Sequence, residues 1–99
     1  MSTHDWIWTT RADLKSQAGA HKACMREILD QLAQQGWERR DLFCIEMALE
    51  ESLTNAIRHG NRFDDAKTVQ VECKLSPQRF WLRVWTLLSS WPWMPPRFV

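Results

Sequence analysis

The residues best suited to chemistry lie together, in Glu50-Glu51-Ser52-Leu53-Thr54-Asn55-Ala56-Ile57-Arg58-His59-Gly60-Asn61. Glu51 and Asn55 are four positions apart. On a helix, at about 100° per residue, that spacing leaves them roughly 40° from each other and one turn apart. A carboxylate so placed can act as a general base or bind a cation. An amide oxygen suits Mg²⁺, a hard ion that takes oxygen ligands. Glu50 is the rival base, but its spacing to Asn55 is five, about 100° further round. Taken alone, Glu and Asn at helix spacing are usually a solvated edge. A His at a helix end, such as His59, is more often a capping or packing group than a catalyst.

The pair needs a helix to carry it. From about Glu38 to His59, apolar Ile45, Ala48, Leu49, Leu53, Ala56 and Ile57 recur at helical spacing. Glu51 and Asn55 are expected to flank that stripe and face a cleft. Gly60 is expected to close the helix in a left-handed conformation, with Asn61 continuing the turn. An earlier helix shows Met25, Ile28, Leu29 and Leu32 on one face, with Asp13 or Ser16 as its cap and Gly36 at its end. Asp5 to Thr10 is short, aromatic and β-branched, and predicts a strand. In Thr68 to Leu75, Val69, Val71, Cys73 and Leu75 alternate with Gln70, Glu72 and Lys74. The turn Ser76-Pro77-Gln78-Arg79 then leads to Phe80, Leu82 and Val84, which alternate with Trp81, Arg83 and Trp85. The order strand, helix, helix, strand, strand predicts an α+β fold. Two helices pack on one face of a small, mostly antiparallel sheet.

Composition narrows the function. The 99 residues suffice for one domain and not for two. Hydrophobic residues at 44% and charged residues at 25% are ordinary for a globular chain. A net charge of +1 argues against a partner held by phosphate contacts, so no nucleic acid is expected. No apolar run reaches the ~18 residues of a membrane span, so no membrane is expected. The opening Met-Ser-Thr-His-Asp lacks the apolar stretch of a secretory signal, which makes the cytoplasm the default location. Cysteines stand at 24, 44 and 73 with no Cys-x-x-Cys pair, so they are expected as reduced, mostly buried thiols and not as a zinc site. Seven Trp accompany no Tyr, and the three Gly are at 19, 36 and 60.

The string Ala48-Leu49-Glu50-Glu51-Ser52-Leu53-Thr54-Asn55-Ala56-Ile57-Arg58-His59-Gly60-Asn61-Arg62-Phe63-Asp64 closely resembles the N box of the RsbW-like anti-sigma-factor serine/threonine kinases. Those belong to the GHKL (Bergerat-type) ATPases, the superfamily of histidine kinases, Hsp90 and gyrase. The likeness runs over about residues 5 to 85. It implies ATP and Mg²⁺ as cofactors. It gives Asn55 the metal, held between the phosphates, and Glu51 the task of activating the attacking hydroxyl. Arg58 and His59 would border the phosphate site. The implied partners are a sigma factor, an anti-anti-sigma factor that carries the phosphorylated Ser or Thr, and a second copy in a homodimer.

The chain also departs from that pattern. In the family, the strand matching Phe80 to Trp85 runs into Asp-x-Gly-x-Gly. The Asp recognises the adenine amine and the glycines form the nucleotide lid. Here Thr86 stands at the Asp position, and no glycine follows Gly60. The backbone cannot approach phosphates through Leu-Leu-Ser-Ser-Trp-Pro as it does through glycines. The expectation is a domain over residues 1–85 holding the N box and an unrelated tail over 86–99, from a frameshift or premature end, or as a genuine short form. No measurable ATP binding at sub-millimolar concentration is then expected, nor kinase activity from this shortened chain, and the alternatives are a nucleotide-independent binding module or a non-functional fragment. Trp81, Trp85, Trp91 and Trp93 are expected to form a sticky patch.

Overall fold

Alternation of side chains builds the sheet. The structure, a computed structural model, describes residues 6–60, 67–88 and 97–98. Strands β1 (Trp8–Lys15), β2 (Lys67–Leu75), β3 (Phe80–Leu88) and β4 (Arg97–Phe98) form one sheet in the order β1-β2-β3-β4. Every pairing is antiparallel. Helices α1 (Lys22–Gln34) and α2 (Arg39–Asn55) follow β1, and a π-helical turn (Ala56–Gly60) continues α2. The architecture is the α+β layer that the element order predicts.

The inward row of β2 is Val69, Val71, Cys73 and Leu75, all buried. Register places Leu14, Ala12, Thr10 and Trp8 beside them on β1 and Thr86, Val84, Leu82 and Phe80 on β3. Ile28 and Leu32 of α1, Leu49 and Leu53 of α2, and Ile57 of the π turn close the core over this face. The α1 stripe therefore works as its spacing requires. The helix ends in a Schellman motif: Gly36 takes φ +88°, its N–H reaches the Ala33 carbonyl at 3.1 Å, and the Trp37 N–H reaches Leu32 at 3.2 Å. Trp37 then donates its indole N–H to the Ser76 carbonyl at 2.9 Å, pinning the α1–α2 connection to the hairpin turn.

The first strand begins later than Asp5–Thr10 suggests and runs to Lys15. Its alternation with Leu14 inward outweighs the polar character of Arg11, Asp13 and Lys15, which take the solvent face. Asp13 is thus a strand residue. Ser16 donates its hydroxyl to the Lys67 carbonyl at 2.7 Å, and the α1 N-cap is His21. The helix through His59 gives way to the π turn after Asn55, with Gly60 as the last residue of that turn. Asn61 lies outside the described residues. Strand β3 continues past Trp85 to Leu88, and Arg97–Phe98 pairs with Val84 and Arg83.

Trp81 and Trp85 do not form a bare apolar patch. Arg83 lies over both rings, 5.8 Å and 4.4 Å from their centroids, and Lys74 lies 5.1 Å from that of Trp81. Arg83 also pairs with Glu72 at 2.7 Å. Trp85 is buried. Cations cover the aromatic faces and are attracted by their negative quadrupole. Trp91 and Trp93 lie outside the described residues.

Candidate functional site

Helix α2 carries the candidate residues, and its buried face fixes where they point. Leu49 and Leu53 are wholly buried, and Ile57 follows them into the core. Glu51 lies two residues after Leu49, about 160° round the helix axis. Both Glu51 and Asn55 are exposed. They share one side of α2, one turn apart, as the four-residue spacing requires. They do not sit at the border of the apolar stripe, as the sequence suggests; that border belongs to Glu50. The reason is angular: Leu49 and Leu53, the wholly buried residues of α2, each lie about 160° from Glu51 round the axis, so Glu51 falls opposite the stripe.

Glu50 faces α1. Its carboxylate Oε2 lies 3.0 Å from His21 Nε2. The Thr54 hydroxyl donates back to the Glu50 carbonyl at 2.6 Å, with a longer contact of 3.4 Å to that of Glu51. Such a bond loads the carbonyls just before the helix widens. The π turn then resets the phase of Arg58. Ile57 keeps its place in the core, and Arg58 is exposed. Helical widening of this kind is frequent at functional sites. The His59 side chain lies outside the described residues.

Cys44, Ala48, Glu51 and Asn55 form one exposed stripe along α2. At its N-terminal end a groove of about 420 Å³ opens between α2 and β3, lined by Cys44, Ile45, Ala48, Leu49, Phe80, Trp81 and Leu82. At the other end the π turn packs against β2 and β3. Thr86 falls on the helix-covered face of β3, opposite Val69. The residue at the family's Asp position therefore belongs to the same end of the sheet as the π turn.

All three cysteines are free; Cys44 is exposed, unlike the buried pair Cys24 and Cys73. Burial raises the Cys24 thiol, with the charge of Glu27 adding to it. Burial also pushes Cys73 up to about 12, helped by Cys24. Neither is a thiolate at ordinary pH.

Among the described residues no group of three or more His, Cys, Asp and Glu could hold a metal ion alone. His21 is the site-side residue that sequence reasoning missed. Its partner Glu50 is 29 positions away, and no local pattern joins them.

The sequence model of the histidine kinase-like ATPase domain matches residues 14–90. The chain belongs to that family. A search of curated proteins finds no match. The family generally binds ATP with Mg²⁺. Among the described residues no helix is long and apolar enough to cross a membrane.

Proposed function

We propose that this chain is a cytoplasmic regulator of the anti-sigma-factor serine/threonine kinase type, in which α2 carries the metal-and-phosphate half of the nucleotide site. The observation that supports it is the common exposed side of Glu51 and Asn55 beside the π turn, in a chain of the histidine kinase-like ATPase family. Asn55 presents the amide oxygen that holds Mg²⁺, and the metal neutralises phosphate charge when bound. Glu51, one turn away, accepts the proton of a Ser or Thr hydroxyl on a partner. Phosphoryl transfer rests on positioning and electrostatics, and a helix with a buried apolar face supplies the rigidity. Arg58 and His59 border the phosphates. The partners are a sigma factor and an anti-anti-sigma factor, with a second copy of the chain in a homodimer. The adenine half is weak because Thr86 cannot accept from the adenine amine as a carboxylate does.

A second reading has its own support. Phe43 and Met47 of α2 are exposed, at 62% and 57%, and a separate apolar groove lies between α2 and β3. This surface suits a nucleotide-independent protein contact. Capture of purified sigma factor and anti-anti-sigma factor, with and without Mg²⁺·ATP at millimolar concentration, separates the two. Capture that depends on ATP is the expected result. Capture indifferent to ATP supports the binding module, and no capture of either partner overturns both.

A further inference from the structure

We infer that His21 is a positioning residue that sets the rotation of α2, and through it the direction in which Glu51 and Asn55 face; the link to those two rests on the nucleotide site proposed above. The His21 side chain is 3% exposed, whereas Glu50 is 51% exposed. Among the described residues, the 3.0 Å contact of His21 Nε2 with Glu50 is the one side-chain hydrogen bond between α1 and α2. The remaining contacts include apolar packing, which fixes the crossing of two helices only to within roughly 15–20° and carries no directional bond.

The imidazole is not there to cap α1, since the N-cap makes no side-chain cap bond. Nor is it there for full satisfaction: Nδ1 is buried and has no partner among the described residues. An orphaned buried polar atom is a cost, and such groups are retained where they fix one register among several. A carboxylate only accepts, so Nε2 carries the proton toward Glu50. Glu50 directly precedes Glu51, and one residue is about 100° of rotation. Holding Glu50 against the start of α1 therefore turns Glu51 and Asn55 to the opposite, open side. Without the bond, α2 keeps its buried leucines and loses its angular stop.

The test uses His21→Leu, which removes the donor, and His21→Gln, whose amide nitrogen stands where Nε2 stands. Residual dipolar couplings of the α1 and α2 amides read the rotation of α2 about its axis. In His21→Leu the phase along α2 is expected to move measurably from that of the unaltered chain, and in His21→Gln to return. Glu50→Leu breaks the same bond from its exposed side, so loss of folding in His21→Leu leaves the question decidable. An unmoved phase in Glu50→Leu overturns the inference. The link to the site is read at the Asn55 side-chain amide in millimolar Mg²⁺·ATP. Both Leu variants should weaken the response about tenfold, the usual weight of a residue behind a ligand, with rescue in His21→Gln. A response in both Leu variants as strong as that of the unaltered chain overturns that link. No response in the unaltered chain defeats the proposed nucleotide site instead, while the dipolar couplings still decide the rotation.

Discussion

The two sides of α2 differ in what holds them. Toward α1, Glu50 is fixed by a buried histidine, and Glu46 and Glu50 line a shared groove with Lys22, Met25, Arg26, Leu29 and Asp30. On the other side, Cys44, Ala48, Glu51 and Asn55 stand exposed, and among the described residues no helix packs against them. Two neighbouring glutamates thus have unlike fates: one anchors the helix and the other is available to a ligand. Adjacent identical residues in a sequence can have separate roles because a helix sends them about 100° apart.

The largest effect should fall on the open side. In a chain given Asp-x-Gly-x-Gly by Thr86→Asp, Leu88→Gly and Ser90→Gly, Glu51→Gln should lower transfer to the partner hydroxyl by roughly 10²–10⁴ while Mg²⁺·ATP still binds. Asn55→Ala should abolish both binding and transfer. Assays with labelled ATP check this. Loss of transfer in Glu50→Gln with Glu51→Gln active would reverse the two sides.

The next effect belongs to the buried face that both sides share. Leu53 is wholly buried, and Leu53→Ala should cost about 2–5 kcal/mol in denaturant unfolding. Glu51→Gln should stay within about 0.5 kcal/mol, as surface changes do. Equal costs would mean that Glu51 is built into the fold.

The thiols give the same contrast in pH. Cys73 is raised from 9.0 to about 12, so the folded chain keeps its proton where the unfolded chain loses it. Folding stability should therefore be indifferent to this thiol below pH 9.0 and fall as pH rises from 9.0 toward 12. Cys73→Ala should flatten that fall in urea titrations at alkaline pH. Cys44 on the open side should react with a thiol reagent in the native state, with Cys24 and Cys73 protected until unfolding.

The smallest effect is the control. Glu50→Gln keeps an acceptor for His21, so transfer should stay within about twofold.

The β2–β3 hairpin was legible in the sequence because Val69, Val71, Cys73 and Leu75 repeat with a period of two and Ser76-Pro77 marks the turn. The α1 end was legible because Gly36 suits positive φ. The second half of β1 was not, since Arg11, Asp13 and Lys15 hide a strand whose inward residues include the small Ala12. The spacing of Glu51 and Asn55 was legible, but their angle to the core was not: it depends on which of several apolar residues pack deepest. The His21–Glu50 bond joins distant positions that only tertiary packing brings together. The π turn had no signature, because it arises where a continuing helix must keep Ile57 in the core.

The central claim is that the Glu51–Asn55 side of α2 is the one that meets nucleotide. Amide and side-chain amide NMR shifts of the chain, titrated with Mg²⁺·ATP to millimolar concentration, test it most directly. Shifts are expected to concentrate at Glu51, Asn55 and the π turn, with little change at Glu46, Glu50 and α1. Shifts concentrated on the α1-facing groove, or none on α2 at all, would contradict it.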